Sequence, residues 1–115
     1  MAYIEIVPAK TRVVVRWRGH VVADSSHALE LREGSYPPVL YLPRKDAEMA
    51  YYAASDHHTT CPHKGLASYF HLKDEGAEAE NAVWTYESPK AGVEAIADHL
   101  AFYPDKVEIA RADAA

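Results

Sequence analysis

The sequence has a single cysteine, no excess of positive charge and no long apolar run, and each shortage excludes a class of protein. Cys61 has no partner for an intrachain disulfide, which excludes a small scaffold held together by disulfides. The formal net charge of −5 disfavours nucleic-acid binding, which depends on a positively charged surface. No apolar stretch approaches the roughly 20 residues that a membrane span needs. We therefore expect neither a nucleic acid nor a membrane among the partners.

The N-terminal residues and the overall composition predict one globular domain in the cytoplasm. Residues 1–5 carry no basic segment followed by an apolar run, so no signal peptide is predicted. Apolar residues make up 49% and charged residues 25%, as in ordinary globular proteins. A chain of 115 residues lies in the size range of one domain with one hydrophobic core. We predict a single domain over residues 1–115, with a cytoplasmic location as the expectation.

Short β-prone runs separated by turn residues predict a mainly β fold. Residues 12–17 alternate basic and apolar side chains, which is typical of a strand with one face in solvent, and a turn at Gly19 joins them to residues 21–23. The acidic stretch 74–80 is predicted to be a hairpin tip around Gly76. Further strands are predicted at residues 28–33, 39–42, 49–53, 66–72, 81–86 and 107–109.

Two short helical segments complete the prediction. Residues 43–46 begin with a proline, the residue that suits the first position of a helical turn. In residues 91–99, the apolar side chains of Val93, Ile96 and Ala97 recur at helical spacing, which predicts the one clear helix. Residues 110–115 are expected to fray. The predicted fold class is therefore mainly β with one or two short helices.

Residues 55–69 concentrate the groups that carry chemistry. They contain the only cysteine and three of the seven histidines, together with hydroxyl side chains and Lys64. Pro62 and Gly65 predict a loop that leads into the strand at residues 66–72. Binding and catalytic residues are often carried on loops above a rigid scaffold. We therefore expect the functional site of the domain in this segment.

Three chemical interpretations of this segment remain open. In the first, Cys61 is a nucleophile whose thiolate is stabilised by Lys64 or a nearby protonated histidine and accepts a hydrogen bond from Thr60. In the second, a small polar or anionic ligand binds Lys64, the hydroxyl side chains and the backbone amides around Gly65, with Arg44 as a second cation. In the third, a metal binds histidine and cysteine side chains, but their spacing matches no paired zinc-ligand unit. Those side chains belong to His57, His58, Cys61 and His63.

Five runs of residues occur in an order that resembles the largely bacterial family called domain of unknown function 427. The similarity spans about residues 12–108, nearly the whole chain. Five motifs in one order indicate family membership rather than chance similarity. The runs are residues 21–25 (VVADS), 37–44 (PPVLYLPR), 60–69 (TCPHKGLASY), 81–86 (NAVWTY) and 101–103 (AFY).

The resemblance implies a fold and not an activity. The family is similar to β-tent proteins, in which two antiparallel sheets meet at an angle and leave a groove between them. Relatives that bind zinc use two Cys-x-x-Cys pairs, and a chain with one cysteine lacks that site. Other relatives hold a small ligand in the groove with aromatic side chains. The family's Cys-Pro-x-Lys-Gly pattern matches residues 61–65, whereas the nearby histidines occupy positions that are expected to vary.

The family's label also hints at nucleotidyl transfer, which the residues do not support. Enzymes of that kind generally hold Mg²⁺ with close carboxylates next to a glycine-rich phosphate loop. Asp56 is the only acidic residue in the segment 55–69, and neither standard phosphate-binding motif is present. We therefore expect no metal and no cofactor.

The sequence predicts a domain that binds an unidentified small molecule in a groove near residues 61–64. The alternatives are an enzyme that uses a Cys61 thiolate and a protein-interaction module. A structure that places Lys64 and Arg44 on opposite faces, with no shared cavity, would contradict this ligand-binding pocket. The predicted pocket residues are Tyr41, Arg44, Thr60, Cys61, Lys64, Tyr69, Trp84 and Tyr86, with Cys61 as the candidate catalytic residue.

Overall fold

The computed structural model describes residues 3–113, which form ten strands in two antiparallel sheets. The predicted mainly β fold with two antiparallel sheets is confirmed. The helical segments in this part of the chain are all single turns of 3-10 helix. The strands are β1 (Ile4–Pro8), β2 (Thr11–Trp17), β3 (His20–Ser25), β4 (Leu29–Glu33), β5 (Val39–Pro43), β6 (Tyr52–Cys61), β7 (Gly65–Asp74), β8 (Ala77–Thr85), β9 (His99–Phe102) and β10 (Glu108–Asp113).

Seven strands form the larger sheet and three form the smaller one. The order in the larger sheet is β1-β4-β5-β9-β8-β7-β6, and the order in the smaller sheet is β10-β2-β3. β6, β7 and β8 follow one another as hairpins, whereas β9 lies between β8 and β5. β1 and β6 are therefore the two edges of the larger sheet.

The smaller sheet contains the predicted hairpin. Trp17 pairs with His20, and the two residues between them, Arg18 and Gly19, have positive φ angles of 54° and 82°. A two-residue turn of this kind matches the right-handed twist of the flanking strands. In β2, Val13 and Val15 are buried and Arg12 is exposed, so the predicted solvent face of this strand is confirmed.

Two hydrophobic cores lie on opposite faces of the larger sheet. Successive side chains of β7 point to opposite faces, so Phe70 packs in one core and Tyr69 in the other. The first, called here the inter-sheet core, packs Val13 of the smaller sheet against Leu72 of the larger one. The second, called the curved-face core, unites isoleucines of β1 with Tyr69 of β7, although four strands lie between β1 and β7. The larger sheet therefore curves around the second core.

The prediction of a helix at residues 91–99 is wrong. Glu94–Ile96 form one 3-10 turn, and β9 already begins within the predicted range. Gly92 at φ 96° and Asp98 at φ 57° adopt left-handed backbone conformations, which a right-handed helix excludes. Val93 is buried in the curved-face core, so burial against the sheet explains the apolar spacing. Within residues 3–113, no helix has the length and apolar character to cross a membrane.

The segment 55–69 is not a loop. β6 and β7 pair through most of it as a hairpin, which leaves a short turn after Cys61. The ladder is irregular between Ala54 and His58, where β6 carries extra residues relative to β7. The predicted strand 66–72 is confirmed within β7, and the predicted hairpin tip lies between β7 and β8.

Other predicted boundaries shift by a few residues. The predicted strand 49–53 begins with a 3-10 turn, Met49–Tyr51, and becomes extended at Tyr52. The helical turn after Pro43 is confirmed at Arg44–Asp46. The C-terminal residues pair with β2 as far as the end of β10, so the expected fraying is wrong up to that point; positions 114 and 115 lie outside the described residues.

Candidate functional site

The β6–β7 hairpin carries the Cys-Pro-His-Lys-Gly segment at its turn. Cys61 pairs with Gly65 across the ladder, so the three residues between them form the connection. Gly65 has a φ of 109°, a backbone conformation that glycine adopts freely and other residues adopt with strain. The Lys90 N–H donates to the Lys64 carbonyl at 3.0 Å, and the Lys90 Nζ donates to the Pro62 carbonyl at 2.9 Å. The segment after β8 therefore holds the turn in place.

Lys64 reaches from this turn to the other half of the curved sheet. Its Nζ lies 2.8 Å from Oε1 of Glu33, at the end of β4. The two side chains are 12% and 18% exposed, so the pair is largely removed from water. Burial lowers the pKa of Lys64, but the hydrogen bond to Glu33 and the neighbouring groups outweigh burial, and the net shift of the pKa is upward. Lys64 therefore stays charged and bound to one carboxylate.

Two buried tyrosines and a half-buried thiol lie beside this ion pair. The Tyr41 hydroxyl accepts a hydrogen bond of 3.2 Å from Nε1 of Trp84. Burial raises the pKa of Tyr41 and of Tyr86, so both hydroxyls stay protonated at neutral pH. The Tyr86 pKa is raised further by nearby groups that include Cys61 and Glu33. These side chains form what we call the polar cluster: Glu33, Tyr41, Cys61, Lys64 and Tyr86.

The Tyr86 hydroxyl is the unpartnered group of the polar cluster. None of the side-chain hydrogen bonds among residues 3–113 uses its oxygen. Every fully enclosed side-chain nitrogen or oxygen in the same residues has a partner, so this oxygen keeps some contact with solvent, although Tyr86 as a whole is 5% exposed. Such a hydroxyl can donate to a ligand and accept from it without breaking a protein contact.

A row of aromatic side chains continues from the polar cluster along the curved face. The Tyr41 and Trp84 rings meet edge to face, with 6.4 Å between their centroids. Trp84 and Tyr103 lie 4.6 Å apart, as do His57 and Tyr69. Burial and the neighbouring Tyr69 raise the pKa of Tyr103 to about 12. The row places apolar rings beside hydroxyl groups, a combination that is common in small-molecule sites.

The structure brings six of the eight predicted pocket residues to this side of the larger sheet. Thr60 is separated from them, because side chains alternate along β6 and its neighbours Thr59 and Cys61 face the curved-face core. The hydroxyl groups of Tyr69 and Thr59 share a hydrogen bond of 2.9 Å, so the Thr59 side chain points toward the curved-face core. The six residues are Tyr41, Cys61, Lys64, Tyr69, Trp84 and Tyr86.

Arg44 is also separated from the polar cluster. Its guanidinium carbon lies 5.1 Å from the centre of the Phe70 ring, which belongs to the inter-sheet core. Its Nη1 lies 3.3 Å from Asp98 and 3.7 Å from Glu87. Arg44 therefore packs against the inter-sheet core, whereas Lys64 lies on the opposite face of the larger sheet with the polar cluster.

Glu33 is the member of the site that sequence analysis missed. It lies 31 residues before Lys64 and is one of 17 acidic residues in the chain. No local pattern distinguishes it, because its role depends on how the larger sheet curves. Tyr103 is also absent from the predicted pocket, and its contact with Trp84 likewise depends on the sheet.

The metal and nucleophile interpretations gain no support from the geometry. Among residues 3–113, no three or more His, Cys, Asp or Glu side chains converge as a metal site would require. The Lys64 ammonium is bound to Glu33, and no hydrogen bond in this part of the chain reaches the Cys61 thiol. A nucleophilic cysteine needs a partner that favours its thiolate, and the structure does not supply one here.

Comparison of the sequence with known protein families gives one match. The family described as a domain of unknown function (DUF427) matches residues 5–113, nearly the whole chain. No curated protein matches the sequence.

Proposed function

We propose a function for this chain, which belongs to the family described as a domain of unknown function (DUF427), from the geometry of its polar cluster. The chain binds a small polar ligand beside the aromatic row, where the oxygen of the buried Tyr86 contacts solvent near the Lys64–Glu33 pair. One observation carries this proposal: the Tyr86 hydroxyl is open and unpartnered on a residue that is 5% exposed. A ligand oxygen or nitrogen would complete its hydrogen bonding.

The ion pair narrows the chemical class of the ligand. An anion that approaches Nζ of Lys64 also approaches the Glu33 carboxylate, which lies only 2.8 Å from that nitrogen. The repulsion from the carboxylate offsets the attraction to the ammonium. A ligand that is uncharged, or that carries one positive and one negative group, avoids this conflict. We therefore favour amides, amino acids and similar molecules over phosphates. Of the polar or anionic ligands expected from the sequence, this proposal keeps the uncharged and zwitterionic ones.

A thermal-shift screen tests the proposal. Purified protein is heated with a library of amides, amino acids, nucleotides and sugar phosphates. A ligand at 100 times its dissociation constant adds about 2.7 kcal/mol to the folded state. For a domain of this size, each kcal/mol raises the melting temperature by roughly 4 °C. We expect a hit among the uncharged or zwitterionic compounds.

Two variants decide whether a hit binds at the polar cluster. Tyr86→Phe removes only the open hydroxyl, and we expect it to abolish the thermal shift. Arg44→Ala removes a cation that lies on the other face of the sheet, and we expect it to leave the shift unchanged. A shift that survives Tyr86→Phe, or one that disappears in Arg44→Ala, contradicts this location. A library without any hit contradicts small-ligand binding itself.

A further inference from the structure

One cavity differs from the others in its chemistry. β5 and β9 pair only at Leu42 with Leu100 and at Pro43 with His99. Toward the beginning of β5 the two strands are unpaired, and a cavity of about 410 Å³ lies beside the opening. None of the residues that line it carries a charge, whereas charged side chains line four other cavities formed by the described residues.

We propose that this cavity is a second binding site, which takes a small uncharged aromatic molecule of one or two rings. Its volume lies in the range of known small-molecule sites, about 300–1,000 Å³. Its walls include Leu40, Trp84, Phe102 and Ile109, so a bound ring meets aromatic and aliphatic side chains. A charged ligand would lose its hydration without gaining a countercharge there, which favours an uncharged one.

Tyr36 provides an independent indication of a ligand. It lines the cavity, yet the residue is 74% exposed, the largest exposure of any large hydrophobic residue among the described ones. Its backbone is held by a 3.0 Å hydrogen bond to the Glu33 carbonyl and is followed by two prolines, so the ring is presented by a restricted segment. An aromatic ring left in water at the edge of an apolar cavity gains burial when the cavity is filled.

Trp84 connects this cavity to the polar cluster and reports on its occupancy. The Trp84 ring lines the cavity, and its Nε1 donates to the Tyr41 hydroxyl. The cavity contains neither Tyr86 nor Lys64, so the second site does not depend on the function proposed above. Because the chain has two tryptophans, its NMR spectrum contains two indole N–H signals that can be followed separately.

The test is a titration of the full chain with 2-naphthol, followed through those indole signals. We expect the Trp84 signal to move and saturate, while the Trp17 signal stays in place. The charged analogue 2-naphthoate is expected to bind about tenfold more weakly or not at all, because its carboxylate must lose its hydration. Absence of saturable movement at Trp84, or equal affinity for the two compounds, overturns the proposal. So does a Trp84 signal that moves with protein concentration alone, which would indicate a second copy in the cavity.

Two tyrosine variants provide the matched comparison. Tyr36→Ala is expected to weaken 2-naphthol binding by about three- to tenfold, because one aromatic contact is lost. Tyr3→Ala removes a tyrosine of similar exposure, 71%, that does not line the cavity, and it is expected to leave the affinity unchanged. Tyr86→Phe should also leave it unchanged, which separates this site from the polar cluster. Equal affinity for wild type and Tyr36→Ala contradicts the proposal.

Discussion

Glu33→Ala is expected to lower the free energy of unfolding by about 3 kcal/mol, measured by urea denaturation at pH 7. The substitution leaves the Lys64 ammonium 12% exposed without its carboxylate. A charge held largely out of water without a partner is among the most costly defects in a folded protein. The pair also joins β4 to the β6–β7 turn, so its loss removes a contact between the two halves of the curved sheet.

A double-mutant cycle separates the interaction from the loss of either side chain alone. For Glu33→Ala and Lys64→Ala we expect a coupling free energy of about 2 kcal/mol. The control is Lys73 with Glu78, whose side chains are 58% and 41% exposed and whose charged atoms lie 3.9 Å apart. The coupling of this exposed pair should stay below about 0.5 kcal/mol. Equal coupling in the two cycles would show that burial of the Lys64–Glu33 pair has no energetic consequence.

The contribution of Lys64 to stability depends on pH in a defined direction. Burial opposes the charge of Lys64, but the bond to Glu33 prevails and the folded-state pKa is raised above the ordinary 10.5. A raised lysine pKa contributes stability that is complete below pH 10.5 and is lost as the pH rises through the folded-state pKa. The coupling free energy should therefore be constant from pH 7 to pH 9 and fall above pH 10.5.

Tyr86→Phe is expected to leave stability at pH 7 within about 0.5 kcal/mol of wild type and to increase stability at pH 11 by about 1 kcal/mol. Burial raises the pKa of Tyr86 above its ordinary value of 10.0. The unfolded chain therefore ionises at lower pH than the folded one, and stability is lost as the pH rises from 10.0 toward the folded-state pKa. Phenylalanine has no proton to lose, and the missing hydroxyl breaks no hydrogen bond among the described residues. Contact between the Tyr86 oxygen and solvent limits the stability gain at pH 11 to about 1 kcal/mol.

Unfolding followed by circular dichroism across this pH range measures the effect. Tyr3→Phe is the control, since Tyr3 is 71% exposed and its removal should not alter the alkaline transition. Tyr52→Phe is a useful contrast. Burial raises the Tyr52 pKa as well, but its hydroxyl donates to the Val22 carbonyl at 2.8 Å, so that variant should lose about 1 kcal/mol at pH 7. An alkaline midpoint identical in wild type and Tyr86→Phe would mean that the Tyr86 hydroxyl ionises freely in the folded protein.

The sequence predicted those parts of the candidate site that depend on residues close together along the chain. The pattern around Cys61 and Lys64 marks the β6–β7 turn, and alternation along β8 separates Trp84 from Val83. The sequence grouped Arg44 with Lys64 because both are cations next to aromatic strands. The two side chains are separated because they lie on opposite faces of the larger sheet: Arg44 packs over the Phe70 ring, and Lys64 lies in the polar cluster.

The sequence by itself predicted seven of the ten strands, because alternation and turn chemistry are local properties of the backbone. It did not predict β1 or β9, and it assigned most of β6 to a loop. It also identified the family through motifs between residues 21 and 103, and the family model matches residues 5–113. Only the tertiary structure decided that residues 91–99 pack as turns instead of a helix, since buried contacts with the sheet outweigh the weak helical preference of a short segment. Only the tertiary structure paired Lys64 with Glu33, because that contact forms when the curved sheet brings distant strands together.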